Sequence, residues 1–179
     1  LLEQLDQLAS ITPVWMGAIT KVVVRYASPF WRASGLAGAA VSHVGPMREL
    51  HDMSGPDGTP AALFGFAPGA PGQPTPTREA VLDQLVAMFG EKAADPIELV
   101  LQDWRTEPFT SPPDVEHRTA YQLFGHPLFQ HPAMGGRLHW SSTETATESP
   151  GHIEGALQAA ERTLATLLPA LDTERPSTT

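Results

Sequence analysis

The sequence has no cysteine, which excludes disulfides, thiolate metal ligands, a cysteine nucleophile and any cofactor joined through a cysteine thioether. Basic residues are scarce. Eleven Lys and Arg stand against 20 Asp and Glu, a net charge of −9, and no basic block exists to displace counterions from phosphates. No nucleic-acid partner is expected. No run approaches the roughly 20 consecutive apolar residues of a spanning helix, so no membrane partner is expected either. The start, Leu1-Leu2-Glu3-Gln4-Leu5, lacks the flanks of a secretion signal, which points to a cytoplasmic protein. The chain begins on leucine rather than methionine and reads as part of something longer. Gly-x-Gly-x-x-Gly, the Walker loop, His-Glu-x-x-His and Gly-x-Ser-x-Gly are all missing.

What is present suffices for a core: 179 residues, 41% hydrophobic and 17% charged. The 15 glycines and 18 prolines predict short elements joined by turns. Leu1, Leu5, Leu8 and Ile11 have helical spacing, closed by Thr12-Pro13. In Ile19 to Tyr26, Val22, Val24 and Tyr26 alternate with Lys21, Val23 and Arg25, the clearest strand pattern in the chain. Leu36 to Val44, Met47 to Met53 and Ala61 to Phe66 are further strand candidates, which together suggest an antiparallel meander. A loop rich in Pro and Gly follows, with Pro68, Gly69, Pro71, Gly72, Pro74 and Pro76. Thr77 is a good N-cap for a helix carrying Val81, Leu82, Leu85, Val86 and Phe89 and stopped by Gly90. Ile97 to Asp103 reads as a strand, 105 to 136 as irregular, and Leu138 to Ser141 as a short strand. From Gly151 a helix places Ile153, Ala156, Leu157, Ala160, Leu164, Leu167, Leu168 and Leu171 on one face. A polar tail ends the chain.

Taken singly, few residues carry chemistry. His117, His126, His131 and His139 are spaced by nine, five and eight, which fits no usual zinc pattern, and they read as loop histidines. Lys21, among strand valines, reads as a lysine whose stem packs on apolar surface while its ammonium reaches water. Trp15, Trp31, Trp104 and Trp140 read as core or interface anchors. One unit is more specific: the strand Leu138-Ser141, the polar turn Ser142-Thr143-Glu144-Thr145-Ala146, then a helix. Such a unit offers backbone N–H groups to an anion or an electron-rich oxygen, although it also occurs with no ligand.

The run Gly136-Arg137-Leu138-His139-Trp140-Ser141-Ser142-Thr143-Glu144-Thr145-Ala146, followed by Gly151-His152-Ile153-Glu154-Gly155-Ala156-Leu157-Gln158-Ala159-Ala160-Glu161-Arg162, resembles the C-terminal flavin-binding signature of the flavin-containing monoamine oxidase family. Met16-Gly17-Ala18-Ile19-Thr20-Lys21 and Tyr26-Ala27-Ser28-Pro29-Phe30-Trp31-Arg32 resemble the segment by which that family enters its substrate domain. Trp104 falls where the family has an active-site tryptophan after a strand. The resemblance runs from about residue 13 to 171.

The resemblance implies an α+β fold. A short, largely antiparallel sheet with packed helices would form part of a substrate-binding domain (1–104). The final strand and C-terminal helix of an FAD-binding domain would follow (105–171), then the tail (172–179). It implies catalytic roles for Lys21, which in the family holds a water near flavin N5 and takes part in the reaction with oxygen, and for Trp104 and His152. It implies cofactor contacts for Ser142, Thr143, Glu144 and Ile153, whose backbone N–H would face the pyrimidine end of the flavin. The chain departs from the family at several positions. The N-terminal glycine fingerprint is absent, Ser141-Ser142 replaces Ala-Gly, and His152 replaces one tyrosine of the aromatic cage. The other cage position falls near Pro113-Asp114. The expectation is therefore the C-terminal portion of an FAD-dependent oxidase of small amines or amino acids. FAD would be non-covalent and held only with an N-terminal half, with none expected on this chain alone. That half, or self-association, is the expected partner. The alternative is a truncated relative serving as a binding or oligomerisation module.

Overall fold

The period-two pattern of Ile19–Tyr26 becomes β1, with Thr20, Val22, Val24 and Tyr26 buried, Lys21 and Val23 half-buried and Arg25 exposed. The computed structural model describes residues 2–14 and 16–173, and for 170–173 the helical backbone alone. Leu1, Trp15, the side chain of Leu171 and the tail from 174 lie outside the described residues. Met16–His117 forms one compact unit, and Leu1–Trp15 with Arg118–Thr179 forms the other. These units are defined by packing, whereas the division at residues 104 and 105 is one of expected function.

In the Met16–His117 unit, Ala40–Val41 (β2), Glu49–Asp52 (β3), Ala61–Pro68 (β4) and Glu98–Asp103 (β5) join β1 in one sheet of order β2-β3-β4-β1-β5. Every pairing is antiparallel. The α+β class and the meander expected from the sequence are what the chain adopts. Two strands are shorter than their sequence patterns. Leu36 to Val44 contracts to β2 because Gly35 and Gly38 adopt φ of 76° and 69°, outside extended backbone. Met47 to Met53 contracts to β3, since Met47 instead drops into the core, fully buried.

One face of this sheet is covered. Arg78–Phe89 (α3) lays Val81 and Leu85 against Val22, Val24, Leu50 and Leu63. Thr77 accepts a hydrogen bond from Ala80 N at 3.2 Å, and Gly90 ends the helix at φ 84°, as the caps in the sequence require. A one-turn helix not foreseen from the sequence, Phe30–Ala33 (α2), buries Phe30 and Trp31 beside Tyr26, the three rings meeting edge to face at 5.2 to 5.8 Å. Asp52 anchors that turn, accepting from Trp31 Nε1 at 2.9 Å and Arg32 Nε at 2.7 Å. Burial pushes the Asp52 carboxyl up, but the hydrogen bonds from Arg32, Trp31 and Ser54 outweigh it and hold the group well below the usual carboxylate range.

The loop before β3 takes its hydrogen bonds from a helix side chain. Gln84, buried in α3, donates through Nε2 to Val44 O (2.7 Å) and Met47 O (2.8 Å), and its Oε1 accepts from Met47 N at 2.8 Å.

In the other unit, the helix Leu2–Ile11 (α1) buries Leu5 and Leu8 with Phe129 and Ala133, flanked by Leu123, Leu128, Leu138 and Trp140. The strand expected at Leu138 to Ser141 reduces to a single bridge, Ala133↔Leu138. A strand needs a neighbour along its length, and among the described residues this one has only Ala133. The last helix, Ile153–Thr173 (α4), buries Gly155 and Ala159. Its larger apolar residues meet solvent: Ile153 is 83% exposed, Leu157 56%, Leu164 53% and Leu168 56%. Among the described residues no helix is long and apolar enough to cross a membrane.

Replacing Gln84 by Leu keeps the volume, removes the Gln84 partners of Met47 N–H and Met47 O, and leaves Val44 O with Ser42 Oγ alone. A loss of about 2 kcal/mol is expected in urea unfolding. The α3 amides should hold their exchange protection, while that of Met47 collapses.

Candidate functional site

The expected site residues divide between the two units. Lys21 and Trp104 lie in one, and Ser142, Thr143, Glu144, His152 and Ile153 in the other. Each group is a local arrangement of its own.

Lys21 points away from the covered core because its β1 neighbours Thr20 and Val22 point into it. The registers lay out its face in rows. Glu49, Phe66, Lys21 and Gln102 lie side by side, and His51, Phe64, Val23 and Val100 form the next row. Lys21 Nζ sits 5.2 Å from the centre of the Phe64 ring and 5.8 Å from that of Phe66. His51 stacks on Phe64 at 5.0 Å, with its Nε2 3.8 Å from Glu49. The sequence pattern did not single out Phe64 and Phe66. Their signal was two aromatics at i and i+2, which register alone connects to Lys21.

Trp104 is half-buried at the head of a short turn, Trp104–Thr106, directly after the Asp103 that pairs with Thr20. That turn is held by an ion pair the sequence reading missed. Arg105 donates to the Asp103 carboxylate through Nη2 at 2.6 Å and Nε at 2.9 Å, and through Nη1 to Gln73 O at 2.9 Å. Thr75 also donates to Asp103, so the Pro-rich loop is tied to the end of β5. The Arg105 hydrogen bonds, against opposing burial, lower the Asp103 pKa from 3.8 to about 2.

In the second unit, Ser142 opens the Thr143–Thr145 turn, its carbonyl accepting from Thr145 N at 3.0 Å and Thr145 Oγ1 at 2.7 Å. Thr143 Oγ1 donates to His152 O at 2.9 Å, which joins the turn to the start of α4. Four of the five expected residues thus share one surface patch, with Ser142, His152 and Ile153 exposed and Thr143 half-buried. Gly155 makes the approach possible: a Cβ there would stand 2.3 Å from Ser149 O and 3.1 Å from Thr143 Oγ1. Glu144 is half-buried in the same turn. Its carbonyl accepts from Gly125 N at 2.8 Å, and with Ser142, Thr145 and Trp140 it lines a cavity of about 160 Å³. Trp140 Nε1 is buried and meets no acceptor among the described residues. Arg162 holds the turn from α4, donating to Trp140 O at 2.8 Å and Thr145 O at 3.0 Å. Burial lowers its pKa.

His126 Nδ1 accepts from Leu128 N at 3.2 Å, and His139 Nε2 lies 2.8 Å from Gly136 O. Among the described residues no group of three or more His, Asp and Glu is placed to hold a metal.

The profile of the family described as flavin containing amine oxidoreductase matches residues 2–168. The chain belongs to that family. It is 34% identical over 165 residues to a protein of Mycobacterium tuberculosis named as the flavin-containing monoamine oxidase AofH, covering 89% of this chain and 35% of that one. It is 30% identical over 178 residues to amine oxidase [flavin-containing] B of Sus scrofa, covering 90% and 32%. A solved structure of a putrescine oxidase variant, from a redesign of cofactor binding, superposes with a TM-score of 0.73 at 23% identity, over 92% of this chain and 37% of that chain. At that identity the likeness concerns the fold. The chain spans about a third of the length of the curated relatives it matches.

Two outcomes follow from these contacts. Asp103→Asn should cost about 2 kcal/mol at neutral pH. Because folding lowers the Asp103 pKa, its contribution is complete above pH about 4 and is lost as the pH falls through about 2. Unfolding across a pH series should therefore show parent and variant converging near pH 2. Gly155→Ala should cost about 3 kcal/mol, with hydrogen exchange accelerating first across the 143–155 segment.

Proposed function

We propose that this chain is the C-terminal portion of an FAD-dependent oxidase of small amines or amino acids, in which Lys21 serves the reaction with oxygen and the Ser142–Glu144 turn with Ile153 borders the cofactor. The observation that carries this reading is the position of Lys21, an ammonium without a carboxylate partner among the described residues, on the face of an interior strand opposite the covered core. FAD, when bound, takes a hydride equivalent from the amine carbon and passes two electrons to oxygen, leaving an imine and hydrogen peroxide.

The residues present fit one edge of such a group. Ser142, His152 and Ile153 are exposed, the first turn of α4 has N–H groups without intrahelical acceptors, and Trp140 Nε1 is a buried donor with no acceptor among the described residues. The 160 Å³ cavity is below the roughly 300 Å³ that encloses a drug-sized ligand, in keeping with an edge rather than a whole site. The Ile153 N–H is suited to stabilise negative charge near it. Thr143 holds the turn against α4 by its hydrogen bond to His152 O. Lys21 supplies positive charge where oxygen gains electrons, in a site poor in water. Trp104 and His152, each within its own unit, are proposed as residues that meet the amine. The rest of the enzyme, an N-terminal FAD-binding portion, supplies the glycine fingerprint this sequence lacks and covers the apolar stripe of α4. The exposure of that stripe also supports a second reading, a binding module whose partner covers it.

The test is Lys21→Met in the enzyme assembled with its remaining portion, since methionine keeps most of the stem and removes the charge. Stopped-flow measurements should show cofactor reoxidation by oxygen slowed on the order of 10- to 100-fold, with anaerobic reduction by the amine changed far less. If both half-reactions are unchanged, Lys21 is a sheet residue reaching water and nothing more.

A further inference from the structure

We propose that Phe64 and Phe66 are positioning residues for Lys21, their rings forming a seat that fixes the ammonium over the sheet without neutralising its charge. Phe66 is the direct antiparallel partner of Lys21, and Phe64, opposite Val23, is the diagonal one. The two rings meet nearly at right angles, 83° with centroids 5.5 Å apart, so together they make a corner. Lys21 Nζ lies 5.2 and 5.8 Å from their centres, within the roughly 6 Å over which a ring face attracts a cation. His51, stacked on Phe64 from β3 at 5.0 Å and 24°, fixes the plane of that ring. The nearest carboxylate in the row, Glu49, stands one strand further on and faces His51 at 3.8 Å.

The choice of partner has a chemical consequence. A carboxylate would orient the ammonium but cancel the field it projects. A ring quadrupole orients it while leaving nearly the full positive charge available to an anion arriving from the open side. Without the seat, the flexible stem lets the head group spread into water. The consequence for oxygen chemistry rests on the role proposed for Lys21; the contact itself does not.

The chain has only two lysines, Lys21 and the exposed Lys92, and this makes the contact measurable. Reductive methylation with ¹³C-formaldehyde keeps both charges and gives each lysine an NMR signal, assigned with Lys21→Arg and Lys92→Arg. The Lys21 methyl signal is expected upfield of that of Lys92, with nuclear Overhauser contacts to both rings. Phe64→Leu and Phe66→Leu should each move it toward the Lys92 position, and Phe64→Tyr, which keeps the ring face, should not. In the assembled enzyme, Phe64→Leu should slow reoxidation about 2- to 5-fold, the equivalent of about 0.5–1 kcal/mol, and change amine oxidation far less. A Lys21 signal coincident with that of Lys92 in the parent chain, or one unmoved by both leucine variants, overturns the proposal. Should a leucine variant fail to fold, the Overhauser contacts in the parent decide, and their absence overturns it. An upfield Lys21 signal in a chain whose Lys21→Met enzyme reoxidises normally upholds the seat and removes the role in oxygen chemistry.

Discussion

Everything in the Met16–His117 unit depends on β1 being paired on both sides. An eight-residue strand bonded to β4 along one edge and to β5 along the other cannot slip by one residue without turning Val22 and Val24 out of the core. The same constraint that buries the valines lifts Lys21 to the opposite face, and places Phe66 on one side of it and Gln102 on the other. The position of a charged group is thus set by the hydrophobic effect acting on its neighbours. Even the Trp104 turn inherits its place, because it starts one residue after the Asp103 that β1 holds through Thr20.

The chain secures its cations in two ways, and the difference follows from what each must do. Arg32 and Arg105 pair with Asp52 and Asp103, and each pair ties a loop or a short turn to a strand. Charge is cancelled there and geometry is gained. Lys21 and Arg162 have no carboxylate partner among the described residues. Arg162 spends its donors on the carbonyls of Trp140 and Thr145, which fastens the turn carrying Ser142 and Thr143 to α4. Lys21 rests on aromatic rings.

What could be read from the sequence was local. The alternation in Ile19–Tyr26, the Thr77 and Gly90 caps and the apolar spacing from Ile153 each lie within a short window, and each gave its element nearly to the residue. The motif around Ser142 and Thr143 was legible by resemblance, but the Thr143 to His152 bond that closes it spans nine positions and is set by tertiary packing. Ala61 to Phe66 reads as a plain apolar strand, and only its register against β1 reveals that Phe64 and Phe66 face Lys21. Gln84 has the look of a surface residue on a helix; its burial becomes intelligible once a loop lies over it with three backbone groups, Val44 O, Met47 N–H and Met47 O, turned to its amide. Leu138 to Ser141 has the composition of a strand, yet composition does not provide a neighbour.

The exposed stripe on α4 has a meaning beyond geometry. Quality-control machinery recognises apolar surface that a finished fold conceals, so the interval between synthesis of Ile153–Thr173 and its coverage becomes a period of risk. If the remaining portion proposed for this enzyme covers Ile153, Leu157, Leu164 and Leu168, the chain's lifetime in a cell would follow supply: that portion would have to be present in time and in matching amount. Abundance of the chain would then report on abundance of that cover, and the last helix would act as a timer on assembly.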